Sequence, residues 1–220
     1  MKKPCLNAHI YVLGLAVFSL FAFGCAAHTI TVEIPPKIDL KPYQTIGIVE
    51  FSSNSTAKLN QSTTQKFMKY IQKAQPQVRF LELGTAEQFV KEVGRQRLDL
   101  EAIKAAGKKY GVSSIFTGTY ELSDVKPKLD LKSGFSSINA SAVVNITVVS
   151  KHWDTATGAT AWTNSRHGQW SVAKVKKDSK TPVSLSLSDP EDKYEGYIED
   201  LVFAVVDDFR PHYEQRKAPK

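Results

Sequence analysis

Apolar residues recur along this chain with two periods, and these periods predict its strands and helices. A period of two, or a short unbroken apolar run, is typical of a strand. Runs of this kind predict strands at Thr45–Phe51, Val78–Leu83, Val112–Leu122, Ile138–Ser150 and Thr160–Val175. The last two are long, and the turn between them contains Asp154 and Gly158. They are therefore expected to form a hairpin.

A helical period, supported by capping residues, predicts the other elements. It covers residues 61–74, 85–94, 100–109 and 190–209. Thr85 and Gln88 have the spacing of a capping box, and Asp189 with Pro190 is a strong helix start. The order of elements predicts a mixed α/β (α+β) fold. We expect a central mixed sheet with flanking helices, a long C-terminal β-hairpin and a final helix.

Four segments lack a clear period. Residues 26–43 contain three prolines and are expected to form an extended tether, with an edge strand at Thr29–Ile34 as the alternative. Residues 124–135 are expected to form a loop or a loose hairpin arm, and residues 174–180 a basic loop. Residues 214–220 are expected to be a frayed polar tail. The predicted organisation is a leader (1–24), Cys25 with the tether (25–43), one domain (44–213) and the tail.

The leader has the features of a signal peptide. Lys2 and Lys3 precede the apolar run Ile10–Phe23, whose 14 residues are fewer than the roughly 20 that a membrane-spanning helix needs. Leu20–Cys25 resembles a bacterial lipobox, although Phe23 stands where a small or aliphatic residue is more usual. The resemblance implies that Cys25 becomes a lipidated first residue. The alternative is ordinary secretory cleavage near Ala26.

If Cys25 is acylated, it carries more than one acyl chain, which gives stable attachment to a bilayer. No acidic residue follows it directly, since Ala26 and Ala27 are next. In Gram-negative lipoproteins this pattern implies sorting to the outer membrane. We therefore expect a lipid partner for Cys25 and a domain that faces the periplasm.

Charge and cysteine content exclude some classes of function. The formal charge is +7, and the leader contributes two of these charges through Lys2 and Lys3. This surplus suits anionic envelope polymers or lipid head groups, but it is not the footprint of a nucleic-acid-binding protein. The only cysteines are Cys5 and Cys25. The domain therefore has no internal disulfide, cysteine nucleophile or thiolate metal site.

The sequence resembles the CsgG family of curli-secretion lipoproteins and the related lipoproteins that activate penicillin-binding proteins. Four stretches carry the resemblance: Thr45–Phe51, Gly84–Gly94, Lys109–Gly118 and Asp154–Trp162. It implies a central sheet with helices against it and a role in envelope assembly or regulation. The curli channel also inserts two β-hairpins per subunit into the membrane. Only Ile138–Ser150 has a comparable apolar face here, so we do not expect these hairpins.

No catalytic or cofactor motif stands out. The sequence contains no G-x-S-x-G elbow, phosphate-cradling glycine loop or H-E-x-x-H. His152 and His167 lie on the two arms of the hairpin, where they should face Ala161 and Ile146. That places them about 20 Å apart, too far to share a metal ion. We expect no cofactor and no enzymatic activity.

Six residues are candidates for partner binding, namely Trp153, Trp162, Trp170, Lys174, Lys176 and Lys177. The tryptophans could form a binding platform, or they could simply pack across the hairpin. The lysines could touch a polyanion, or they could be a solvated loop.

The main hypothesis is a non-enzymatic lipoprotein, anchored in the outer membrane, that binds other envelope proteins. A subunit of a curli-type oligomeric secretion complex is the alternative, since the sequence leaves the oligomeric state open. An envelope hydrolase is the third hypothesis. It predicts a deep pocket with polar groups near the ends of the Val112–Leu122 or Thr45–Phe51 strands.

Overall fold

A computed structural model describes residues 29–43, 45–54, 58–124, 126–131, 138–177 and 190–217. The predicted leader and Cys25 lie outside these residues. The described residues belong to two compact units. One comprises residues 36–211, and the other, which we call the ribbon, comprises residues 29–35 and 212–217.

The larger unit contains four α-helices and seven strands in its described part, and the ribbon contains two strands. The strands are β1 (Thr29–Ile34), β2 (Thr45–Ile48), β3 (Ser52–Ser53), β4 (Arg79–Glu82), β5 (Ser114–Leu122), β6 (Lys126–Leu131), β7 (Ile138–Asp154), β8 (Thr160–Lys177) and β9 (His212–Lys217). The helices are α1 (Lys58–Ala74), α2 (Ala86–Glu92), α3 (Leu100–Tyr110) and α4 (Pro190–Val205), followed by a 3₁₀ turn at Val206–Phe209.

The sheet of the larger unit is mixed. Its main order is β4-β2-β5-β7-β6, and β3 pairs with β5 while β8 pairs with β7. β2 runs parallel to β4 and β5, whereas β7 is antiparallel to β5, β6 and β8. This confirms the predicted mixed fold with flanking helices, a long hairpin and a final helix. Gly158 has φ +72 in the hairpin turn, which explains why a glycine stands there.

One face of the sheet, which we call the helix-packed face, is covered by α1 and α4. Phe116 on β5 is fully buried there and contacts a group of aromatic rings: Phe67, Phe80, His152, Trp162 and Phe209. Gly118 follows on the same strand, where an added Cβ would lie 2.1 Å from Phe51. Large aromatic side chains and one obligatory small residue therefore fit together on this face.

The described residues cover the opposite face only in part. The buried residues Phe89 of α2 and Ile103 of α3 pack with Ile115 of β5 in a second, smaller core cluster. Beyond Ile115, the residues of β5 that point to this side include Thr119 and Glu121, and both are exposed. We call this uncovered part the open face.

Several predicted irregular segments are regular instead. β6 lies within residues 124–135 and confirms the alternative of a hairpin arm there, whereas Lys174, Lys176 and Lys177 belong to strand β8 rather than to a basic loop. β6 and β8 both pair with β7, and this pairing accounts for the two strands because it satisfies their backbone N–H and C=O groups.

The two ends of the chain also depart from the predictions. β1 confirms the alternative of a strand at Thr29–Ile34, and its partner β9 includes residues 214–217 of the expected frayed tail. Farther along the expected tether, Leu40 is fully buried, and its backbone N–H donates to Gln75 Oε1 at 2.8 Å. Within the described residues, no helix has the length and apolar character needed to cross a bilayer.

Candidate functional site

A cleft lies beyond the carboxyl ends of the parallel strands β2 and β4. It encloses about 320 Å³, which is within the usual range for ligand sites. Val49 and Glu50, directly after β2, form one wall, and Ala86 at the start of α2 and Leu98 belong to another. Ligands of open α/β sheets commonly bind in this position.

Local backbone structure fixes the wall that α2 provides. Gly84 has φ +74 and leads from β4 into the helix. The capping box is present as predicted, because Gln88 N–H donates to Thr85 Oγ1 while Gln88 Oε1 accepts from Thr85 N–H. The Glu50 N–H donates to the Gly84 carbonyl at 2.9 Å, so the segments after β2 and β4 are tied together.

Trp153 forms the aromatic part of the lining. Its indole Nε1–H donates to Thr117 Oγ1 at 2.9 Å, which fixes the ring against the sheet. The Lys151 Nζ lies 5.6 Å from the centre of the same ring, within the range of a weak cation–π contact. An ammonium group and an aromatic surface therefore stand side by side.

Two charged side chains of opposite sign, Glu50 and Lys151, line the cleft. Glu50 is half-buried and Lys151 is exposed. The rest of the lining combines apolar side chains such as Val149 with hydroxyl groups such as that of Thr119. An apolar surface with a few polar groups can hold an apolar group of a partner and orient it through its polar neighbours.

The cleft is continuous with the open face. Val149 on β7 lines the cleft and pairs in register with Thr119 and with Ser165, which is exposed on β8. Farther along, Thr147 Oγ1 and His167 Nδ1 are 3.1 Å apart, and Gln169 Nε2 donates to Asn145 Oδ1 at 3.0 Å. The open face is thus a surface of short polar side chains with few charges.

The structure does not bring the three predicted tryptophans into one platform. Trp162 is 8% exposed on the helix-packed face, where its Nε1–H donates to Asp208 Oδ2 at 3.1 Å. Trp170 stacks on Tyr197 of α4, with ring centres 4.8 Å apart. Only Trp153 lines the cleft. The structure therefore packs two of the tryptophans and places the third in the cleft, while a binding role for them stays a prediction.

The predicted lysines lie elsewhere in the sheet. β8 pairs Lys174 with Ser141, Lys176 with Asn139 and Lys177 with Ile138. These positions are at the far end of the hairpin from the turn. Their binding role stays a prediction, as does the lipidation of Cys25, which lies outside the described residues.

The two hairpin histidines are on opposite faces. His152 pairs with Trp162 and His167 with Thr147, one position away from the predicted partners. A β-bulge between His152 and Trp153 shifts the register and accounts for the difference. Among the described residues, no group of histidine, cysteine and carboxylate side chains could hold a metal ion.

His152 is a buried neutral histidine. It is 1% exposed, stacks on Phe116 with ring centres 4.4 Å apart, and meets Tyr43 edge to face. Burial lowers the pKa of His152 to about 4, and the Asp154 carboxylate opposes this shift only in part. Its Nε2 has no hydrogen-bond partner among the described residues.

Ser114 lies on the neighbouring strand, opposite Asp154, and is also fully buried. Its Oγ has no hydrogen-bond partner within the described part of the chain. A serine nucleophile needs a hydrogen bond to its base. The proximity of Ser114, His152 and Asp154 therefore does not form an assembled catalytic group.

Sequence reasoning missed most of the cleft. Glu50 is the second-to-last residue of the predicted strand Thr45–Phe51, and a polar residue near the end of a strand of a mixed sheet was the available signal. Leu98 and Lys151 carry no comparable signal, because their proximity to Trp153 depends on long-range packing.

No protein-family model and no curated protein matches this sequence. Several solved structures resemble the fold. The PelC dodecamer from Paraburkholderia phytofirmans has a TM-score of 0.39 at 11% identity and covers 83% of this chain and 98% of that chain. Lipoprotein GNA1162 from Neisseria meningitidis has a TM-score of 0.33 at 15% identity, covering 74% and 94%.

The LpoB C-terminal domain from Escherichia coli is also similar, with a TM-score of 0.32 at 8% identity, covering 60% of this chain and 87% of that chain. At these TM-scores and identities the likenesses carry no argument about function.

Proposed function

We propose that this protein is a non-enzymatic binding factor of the bacterial envelope, held at the outer membrane through acylated Cys25. Its partners are other envelope proteins, which contact the cleft and the open face. We also propose that the protein is related to the CsgG-like lipoproteins, and the four sequence stretches that resemble them support this relationship.

The observation that carries the proposal is the cleft with its continuation into the open face. An apolar lining around Trp153 and Val149 can receive an apolar side chain of a partner. Glu50 and Lys151 can pair with charges beside that side chain, and such groups favour specificity more than affinity. Aromatic anchors next to polar rims are typical of protein–protein binding sites.

The location rests on the sequence alone. The run Ile10–Phe23 and the following Gly24-Cys25 support export and lipidation. Replacing Cys25 with alanine should release the protein from the membrane fraction. Retention of Cys25→Ala with the outer membrane would refute the anchor and leave the cleft proposal standing.

Site-specific photocrosslinking in intact cells tests the binding surface. A photoreactive residue at Thr119 or Lys151 should give crosslinked envelope proteins. The matched control is Lys73, which is exposed in the last turn of α1, away from the open face. Adding Trp153→Ala should remove the products of position 119. Equal products from position 73, or products that survive Trp153→Ala, would overturn the proposal.

One observation supports the hydrolase hypothesis, because a cleft lies at the end of the Thr45–Phe51 segment. Glu50 is the carboxylate in it that could act as a base. The hydrolase hypothesis predicts that the protein turns over ester or peptide substrates. Glu50→Gln should then abolish this turnover without a loss of stability. Absence of turnover across a panel of such substrates would count against it.

A further inference from the structure

The ribbon exposes most of its side chains. Six register pairs join β1 and β9, from Thr29 with Lys217 to Ile34 with His212. Ile30 is nevertheless 44% exposed and Tyr213 65%. An isolated two-stranded ribbon is only marginally stable in water. Further strand pairing would stabilise it.

The two edges of the ribbon differ in chemistry. β1 reads Thr-Ile-Thr-Val-Glu-Ile and contains one charged residue, Glu33, among five residues that are β-branched. β9 contains Glu214, Arg216 and Lys217. Charged residues discourage edge pairing, whereas a neutral β-branched edge promotes it. In the described part of the chain, β1 pairs with no strand other than β9.

We propose that this edge of β1 is an interface between two copies of the chain. The two β1 strands pair antiparallel about a twofold axis at Val32, which gives a four-stranded sheet. This inference goes beyond the proposed binding function and concerns a different unit of the molecule.

The sequence of β1 selects this register. Residues directly opposite each other in an antiparallel pair lie on one face, so the apolar residues must meet apolar residues. With Val32 on the axis, Ile30 lies opposite Ile34 of the second copy. Thr31 then lies opposite Glu33 of the second copy, so no like charges meet. Six aliphatic residues share one face of the new sheet, and cross-strand pairs of this kind stabilise it.

Chain length favours a second copy as the occupant. Only three residues, Ala26–His28, separate Cys25 from β1. At roughly 3.3 Å per residue, β1 begins within about 13 Å of Cys25. Copies anchored at Cys25 would hold β1 at one height above the membrane, which raises the effective concentration for pairing. The strand pairing itself needs no anchor.

Cysteine crosslinking tests the interface. This chain with Cys5→Ala and Cys25→Ala contains no cysteine. Val32→Cys in this background should give a disulfide-linked dimer, since opposite residues of an antiparallel pair are close enough for a disulfide. The matched control is Glu214→Cys, because Glu214 is the register partner of Val32 on β9. It should stay monomeric under the same oxidation.

A second pair of variants keeps the test independent of disulfide chemistry. Val32→Lys places two lysines against each other on the axis and should weaken the dimer about tenfold in sedimentation. Glu214→Lys should leave the dimer unchanged. The double variant Val32→Cys/Glu214→Cys should form an intrachain disulfide, which reports that the ribbon itself is intact.

Three results would overturn the inference. One is equal dimer yield from positions 32 and 214. Another is a monomer at every concentration while the intrachain disulfide forms. The third is a ring of several copies of the double variant, in which position 32 of one copy is crosslinked to position 214 of the next copy. Such a ring would show that β1 pairs with β9 of another copy and not with a second β1.

Discussion

The two faces of the central sheet use the same residue types for different purposes. On the helix-packed face, Trp162 and Phe116 are buried by α1, α4 and the 3₁₀ turn. On the other face, Trp153 stands at the edge of the helical cover and lines a cleft. The difference shows that helical cover, and not residue type, separates a packing tryptophan from a candidate binding tryptophan. Substitutions on one face should therefore change stability, and on the other they should change binding.

Phe116→Ala should have the largest effect. Phe116 is fully buried, and its loss leaves a cavity among five aromatic rings, so we expect a loss of about 4 kcal/mol in the free energy of unfolding. Urea denaturation followed by circular dichroism measures it. Thr119→Ala on the same strand is the control, since Thr119 is exposed on the open face and should change stability by less than about 0.5 kcal/mol. Equal losses would contradict the contrast between the faces.

Acidification should destabilise the helix-packed face through His152. Its folded pKa is about 4, below the usual 6.5, so only the unfolded chain takes up this proton between these values. Stability should therefore fall as the pH drops from 6.5 to 4, by up to about 3 kcal/mol from this group.

Urea denaturation at several pH values checks this dependence. The slope of the free energy of unfolding between pH 6.5 and 5 is the informative part, because most carboxylates titrate below this range. His152→Phe should flatten this slope, and His167→Gln, at an exposed position, should not. A slope that persists in His152→Phe would assign the pH dependence to other groups.

Trp162→Phe and Trp153→Phe compare the two faces directly. Trp162→Phe removes the donor to Asp208 from a buried site, so we expect a loss of about 2 kcal/mol and no change in crosslinking at Thr119. Trp153→Phe removes the donor to Thr117 at a half-buried site, so we expect about 1 kcal/mol and weaker crosslinking. The reverse order of effects would show that the cleft is a structural feature.

The sequence predicts the local part of this arrangement well. Ile138–Ser150 and Thr160–Val175 show a clear period of two, and Asp154 with Gly158 marks the turn, so the hairpin follows from neighbouring residues alone. At β6 the sequence predicts either a loop or a loose hairpin arm, because its lysines and Pro127 lack this period, and pairing with β7 makes the segment a strand.

Features that join distant segments are harder to predict. β1 and β9 pair across nearly the whole chain, and no local pattern in Thr29–Ile34 identifies that partner. The bulge beside His152 shifts the hairpin register by one residue, which moves the predicted partners of both histidines. The cleft has the same origin, because Glu50, Leu98 and Lys151 come from three separate segments.

Lys151→Ala should have the smallest effect on stability and is the sharpest test of the open face. The side chain is exposed, and its cation–π contact with Trp153 is weak, so we expect unfolding to change by less than about 0.5 kcal/mol. Binding should nevertheless weaken, because Lys151 is the cation that lines the cleft beside Trp153. The measurement is the yield of crosslinked partner from Thr119. Lys73→Ala on α1 removes an equal charge and should leave the yield unchanged. If both substitutions lower it equally, the contribution is one of net charge, and the cleft has no specific role for Lys151.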